Sequence, residues 1–198
     1  MRDSPGGPAP VAWPGRRIVL TLALGVGVGL PLARLGGAQD SSARGARPQP
    51  NDRFVLAAGE RKGRLITLAD LPSGGAPLTA YPKDATSGVV RDDSRLNQIL
   101  LVRLDPRALD RDTSARAVDG IVAYSAVCTH EGCPISMWHK DSKTLFCACH
   151  ASRFDPADRA RVVDGPAPRR LAMLPLGPIG GGIVAAGGFT GRVGRQTA

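Results

Sequence analysis

The sequence predicts an all-β, antiparallel domain preceded by an N-terminal apolar segment, and three observations carry that expectation. Glycine and proline number 25 and 17 in 198 residues while aromatic residues are only 4%, a composition suited to short strands joined by many turns. Short apolar runs recur along the chain, each bounded by Gly, Pro or Asp clusters, which is the pattern of strands rather than helices. The length fits one compact domain and a terminal extension, with little room for a second core.

In chain order, residues 1–38 read as a targeting segment: a polar start, the pair Arg16-Arg17, an apolar run from Ile18 to Leu32, and Gly36-Gly37-Ala38 as a small-residue cleavage site. The arginine pair is similar to a twin-arginine export signal, with Gly15 before it and Val19 where that signal favours Phe. The run is shorter than the roughly 20 residues a spanning helix needs. Pro31 and Arg34 close it, which favours cleavage after Ala38 over retention as a membrane anchor. A signal of this type exports folded cargo, so the expected location is the periplasm. Residues 39–51 contain Ser, Arg and Pro without an apolar period and read as a linker with little structure. The domain proper is 52–198. Strand-like runs follow at 64–68, 97–104, 120–127, 143–146, 171–176 and 183–186. No repeat is visible.

The formal charge is +9, but basic residues alternate with acidic ones, as in Arg91-Asp92-Asp93 and Asp110-Arg111-Asp112. A solvated surface looks like this; a nucleic-acid reader would concentrate its charge in a stripe or carry a reading module.

Two short boxes hold all four cysteines and two of the three histidines: Cys128-Thr129-His130-Glu131-Gly132-Cys133-Pro134 and Cys147-Ala148-Cys149-His150-Ala151-Ser152. Each offers a Cys-His pair and a spare Cys. Thiolates on one iron and neutral imidazoles on the other would lower the negative charge of a [2Fe-2S] cluster and raise its reduction potential. Cys128 and His130 can project the same way from one tight loop, and Cys147 and His150 from another, so two loops would clamp one cluster. Cys133 and Cys149 fall one in each loop, where a disulfide could tie them, a bond that persists only in an oxidising compartment. A Cys2His2 zinc site is the competing reading, but zinc pairs usually separate Cys-x-Cys from His-x-His spacings, and here both boxes mix the two types.

The signatures Cys-x-His-x-Gly-Cys and Cys-x-Cys-His-x-Ser resemble those of the Rieske family. The resemblance implies an antiparallel β domain with a small cluster-binding subdomain, here about 124–170. It implies Cys128, His130, Cys147 and His150 as ligands of one [2Fe-2S] cluster, with Cys133 and Cys149 as a disulfide. Gly165-Pro166-Ala167-Pro168 lies where the family has a proline loop covering the cluster, and the fixed φ of Pro166 and Pro168 suits a stiff lid. Ser152 matches a serine that donates toward a bridging sulfide. Phe154 stands where high-potential members have a tyrosine donor, and Glu131 occupies a position usually apolar in quinol-oxidising members. A missing donor and an added negative charge both predict a lower potential. His139, between Trp138 and Lys140, reads as an exposed turn residue and not as a ligand.

Within the family the C-terminal half resembles the small subunit of arsenite oxidase. The likeness lies in Asp119 to Ser125 before the first box, Ser142-Lys143-Thr144, Ser152-Arg153-Phe154-Asp155 and Gly191-Arg192. It implies a one-electron carrier with no catalytic residue of its own, a molybdopterin-containing large subunit as partner, and a periplasmic carrier such as cytochrome c as acceptor. Two alternatives remain at this point: the anchored Rieske subunit of a quinol:cytochrome c reductase, and a non-redox zinc or structural module.

Overall fold

The computed structural model describes residues 41–195; the targeting segment expected at 1–38 lies outside them. Ten strands are named: β1 (Arg53–Leu56), β2 (Leu78–Lys83), β3 (Ile99–Arg103), β4 (Ile121–Ser125), β5 (Met137–His139), β6 (Thr144–Cys147), β7 (Ser152–Asp155), β8 (Arg161–Asp164), β9 (Leu176–Ile179) and β10 (Gly182–Ala185). All pairings between them are antiparallel. The all-β expectation holds. Among the described residues no helix is long and apolar enough to cross a membrane.

The first sheet has the order β1-β2-β3-β4. Its far side is completed by the segment leading into β9: the Ser125 N–H donates to the Ala172 carbonyl at 2.8 Å and the Leu174 N–H to the Ala123 carbonyl at 2.9 Å. β10 pairs with β9 and returns to the start, since the Asn51 N–H donates to the Ala185 carbonyl and the Ala185 N–H to the Asp52 carbonyl. The ring of hydrogen bonds therefore closes, which removes the exposed edges an open sheet would present. The second sheet, β5-β6-β7-β8, is inserted between β4 and β9 and carries the two boxes at its ends.

β3 and β4 are buried on both faces, which is why they read in sequence as unbroken apolar runs. Ile99, Leu101, Ile121 and Ala123 point into one core with Phe54, Leu71 and Leu174. Leu100, Val102, Val122 and Tyr124 point into a second core with Leu145, Phe154, Cys128 and Cys147. The Tyr124 hydroxyl donates to the Pro156 carbonyl at 2.7 Å, joining the two sheets, and burial pushes that phenol well above its ordinary range. The buried β4 thus leads directly into the first box.

Several local expectations change. Residues 64–68 run beside β1 but form only an isolated bridge, Val55 to Leu65. There the Asp70 carboxylate accepts from the Thr67 N–H and hydroxyl and turns the chain into a short 3-10 helix. β2 contains Pro82, which lies past Ala80, where pairing with β3 ends. Beyond that point its side away from β1 meets the returning segment at Val90 and Arg91, through a bridge at Lys83 and the Arg91 N–H on the Pro82 carbonyl, so no regular ladder there needs the missing donor. β5, β7 and β8 are three or four residues long, and β7 and β8 each carry an Arg and an Asp, so their sequences do not announce strands. The stretch 39–51, expected to hold little structure, is fastened from residue 41 onward. Residues 41–45 are helical, the Asn97 amide donates to the Ala46 carbonyl, and the buried Arg91 guanidinium donates to both oxygens of Asp52 at 2.8 and 3.1 Å.

Candidate metal centre

The first box is a tight loop between Val127 and Pro134, which face each other as a β-bridge. The Cys128 N–H donates to the Cys133 carbonyl at 2.8 Å and the Gly132 N–H to the Cys128 carbonyl at 3.1 Å. Closing so short a turn needs a left-handed residue, supplied by Gly132 at φ +73°. The second box is the turn of the β6–β7 hairpin, with Cys147 and Ser152 paired at its base. A disulfide joins Cys133 to Cys149 across the two loops.

The remaining cysteines, Cys128 and Cys147, are free and buried. The two imidazoles of His130 and His150 meet edge to face, with ring centroids 4.6 Å apart. His130 is partly exposed and His150 exposed. Two thiols thus lie on the inner side of the loops and two imidazoles, in contact with each other, on the outer side, and the Cys147 sulfur lies within 4.8 Å of the disulfide sulfurs of Cys133 and Cys149. Burial pushes the Cys128 thiol above its ordinary value, opposed by the His130 backbone N–H and the Ser152 hydroxyl. His130 Nδ1 is buried with no hydrogen-bond partner among the described residues. A buried, unpaired ring nitrogen is costly, and so is a thiolate in an apolar setting. A cationic group binding both would relieve each cost, so the donor set fits a metal centre of mixed sulfur and nitrogen ligation.

The third loop, after β8, packs over this arrangement. Gly165 sits at φ +86° with its backbone so close to the second loop that a Cβ would lie 2.5 Å from Ser152 Cα and 2.9 Å from the Ala151 carbonyl oxygen. The Ala167 N–H donates to Ser152 Oγ at 3.1 Å, which leaves the hydroxyl hydrogen of Ser152 to point elsewhere. Thr129 Oγ1 donates to the Arg169 carbonyl at 2.6 Å. Pro166 and Pro168 are exposed on the outer face. Phe154 is buried on the same inward face of β7 as Ser152, paired with Leu145 and Val162.

His139 lies at the end of β5, exposed and against the Phe146 ring, away from the loops. Glu131 is not a bare charge: its Oε2 pairs with Arg195 Nη1 at 3.1 Å, and its Oε1 lies 4.0 Å from His130 Nε2. Arg195, Thr129 and Arg95, whose guanidinium lies beside Gly132, are contributors that sequence reasoning missed. Arg95 and Arg195 come from distant parts of the chain and belong to no motif. Cavity size does not locate this site either, since a depression of about 540 Å³ lined by Leu104, Lys143, Arg153 and Val163 contains none of the four residues.

A family model described as the Rieske [2Fe-2S] domain matches residues 77–175. The chain is 44% identical over 80 residues to the cytochrome bc1 complex Rieske iron-sulfur subunit of Streptomyces lividans, covering 40% of this chain and 47% of that protein. It is 47% identical over 149 residues to a candidate respiratory nitrate reductase Rieske subunit of Haloferax mediterranei, covering 74% of this chain and 63% of that one. Both alignments span less than two thirds of the relative's length. Among solved structures, the soluble domain of Rieske protein II from Sulfolobus acidocaldarius overlaps with a TM-score of 0.37 at 26% identity, covering 50% of this chain and 68% of that one. So loose an overlap carries no argument here.

Proposed function

This chain belongs to the Rieske [2Fe-2S] domain family, and on that premise we propose that it is the electron-carrying subunit of a larger oxidoreductase, holding one [2Fe-2S] cluster on Cys128, Cys147, His130 and His150. The cluster supplies a one-electron couple when bound. The observation that carries the ligand assignment is a pair of free buried thiols and a pair of touching imidazoles on two loops tied by one disulfide, with one imidazole nitrogen buried and orphaned. The chain's own residues then do three things. The thiols and imidazoles hold the group, the disulfide and third loop exclude water from its inner side, and the His130 and His150 edges reach the surface where an electron can leave. Ser152, having accepted from the Ala167 N–H, is free to donate toward sulfur and favour the reduced state.

The partner we propose is a molybdopterin-containing catalytic subunit of the arsenite oxidase type, with a periplasmic cytochrome c or similar carrier as acceptor. Two features support this over quinol oxidation. Phe154 lacks the hydroxyl that would donate to a ligand sulfur. The Haloferax relative, aligned over most of this chain, is named as a subunit of a nitrate reductase. The bc1 relative supports the second reading, a Rieske subunit of a quinol:cytochrome c reductase. Export in folded form to the periplasm completes the proposal, and the Cys133–Cys149 disulfide favours an oxidising compartment.

Purification of the native complex tests the partner. Stoichiometric molybdenum with this chain is the expected result, whereas a haem-containing quinol-oxidising complex would establish the second reading. The midpoint potential is expected in the lower or middle part of the family range of about −150 to +300 mV, and a value near its top would count against the proposal. Replacement of Cys147 by Ser should abolish iron, acid-labile sulfide and the rhombic electron paramagnetic resonance signal. Retention of the signal in that variant would remove Cys147 from the ligand set.

A further inference from the structure

We propose that the surface flanking the first loop is a docking face for a one-electron acceptor protein whose own redox centre is rimmed by carboxylates. The inference rests on the electron-transfer reading above and specifies its partner. Guanidinium groups from four separate stretches of the chain gather beside the loop that carries His130. Arg95 Nη2 lies 3.5 Å from where a Cβ on Gly132 would stand. Arg195 Nη1 pairs with Glu131. Arg47 Nη1 donates to the Leu96 carbonyl at 3.0 Å, next to Arg95 in the chain. Arg169 donates from Nη1 to the Arg192 carbonyl at 2.6 Å and from Nη2 to the Gly194 carbonyl. Arg47 and Arg192 line one shallow depression of about 360 Å³ with Gln49 and Phe189.

Among the described residues, the carboxylates on this side do not balance Arg47, Arg95 and Arg169. Glu131 is taken by Arg195, and Asp92 by Arg44 at 2.8 Å, which leaves Asp93 as the remaining acid of that stretch. Arg95 is exposed with no ion-pair partner among the described residues. The loop tips themselves carry no charge apart from Glu131: Pro134, Ala148, Ala151, Pro166 and Pro168 are exposed, and Met137 is 48% exposed next to them. An uncharged contact centre with a positive flank is complementary to a partner that is apolar around its redox group and acidic at its rim. In the step served, one electron passes from the reduced protein to the oxidised acceptor, and no covalent bond forms or breaks.

The test uses the full-length, cluster-loaded protein, reduced and mixed by stopped flow with two probes: native, basic cytochrome c and cytochrome c whose lysines have been succinylated to make it acidic. The acidic probe should oxidise the protein about tenfold faster or more at low salt, within the range of electrostatic steering. The preference should disappear as salt shortens the screening length to about 3 Å near 1 M. Arg95→Glu should shrink the preference and Arg47→Glu/Arg95→Glu should reverse it, while Arg95→Lys keeps it. If the double variant fails to fold, the single Arg95 variants still decide the matter. Equal rates with both probes, or a preference that Arg95→Glu leaves unchanged, overturn the docking face alone. Failure to pass electrons to either probe overturns the electron-transfer reading and the face with it. Salt-sensitive binding to phosphatidylglycerol vesicles, lost in Arg95→Glu while the probe preference stays unchanged, assigns the surface to a membrane and overturns the protein partner.

Discussion

The charge beside His130 is set by a pair of residues rather than by one. Glu131 alone would place a carboxylate next to a proposed ligand and disfavour the more negative reduced state, but Arg195 reaches it from the C-terminal tail at 3.1 Å. Both side chains are substantially exposed, 60% for Arg195 and 44% for Glu131, so solvent screens each of them. Removing one partner unmasks the other. Arg195→Gln should therefore lower the midpoint potential and Glu131→Gln raise it, each by roughly 10 to 40 mV, since about 0.3 to 1 kcal/mol for an exposed pair converts at about 59 mV per 1.4 kcal/mol for one electron. The double variant should return near the original value. Potentiometric titration of the three variants checks this, and single variants that shift the same way, or a double variant displaced as far as either single one, would contradict the opposing charge effects. The residues proposed as ligands stand out in the sequence because each box carries its Cys, His and spare Cys within a few residues. Arg195 does not, because an arginine in a Gly-rich tail has no local signature and only the folded chain brings it to Glu131.

At the level of loops and strands, the site depends on how closely three turns approach. Gly165 is the tightest of these contacts: its positive φ and the 2.5 Å distance from an added Cβ to Ser152 Cα leave no room for a side chain. Gly165→Ala must push the third loop away from the second or distort both, and it should cost about 2 kcal/mol or more. The Ala167 N–H would then lose its hold on Ser152 Oγ, so the midpoint should move as well as the unfolding temperature. Calorimetry together with potentiometry distinguishes this from simple destabilisation, in which only the first would change. The proline loop was visible in sequence as a stiff turn, but its contact with Ser152 was not. The same limit explains the strands. The runs at 97–104 and 120–127 announced β3 and β4 because burial on both faces demands unbroken apolar sequence. β5, β7 and β8 are too short for alternation to show, β7 and β8 are half charged as well, and their pairing follows from the hairpins around the boxes.

Across the whole molecule, the closed ring and the N-terminal arm are held by one buried polar network. Arg91 bridges Asp52, 2% exposed at its side chain, and Asp84, and the Asn97 amide donates to the Arg91 and Ala46 carbonyls. The arm thereby enters β1 beside β10, where the ring closes. Truncating Arg91 leaves Asp52 buried without its cation, a change that typically costs about 3–5 kcal/mol, whereas replacing both by apolar residues removes the uncompensated charge. Arg91→Met should therefore destabilise strongly, and Asp52→Leu/Arg91→Met should recover a large part of the loss, as read from urea unfolding. Acid adds an independent arm to the measurement. The N–H groups of Ser87 and Thr86, with the Ser87 hydroxyl and the Arg91 charge, hold the Asp84 carboxyl below its ordinary value. A folded pKa below the unfolded one contributes stability that is present above about pH 4 and is lost as pH falls through the folded value. The urea midpoint should accordingly drop on acidification from about pH 4, and Asp84→Asn should lower it at neutral pH while flattening its acid dependence. An unchanged acid slope in Asp84→Asn would mean that the turn at 84–88, held by hydrogen bonds from Thr86 and Ser87, contributes to the fold through its backbone alone.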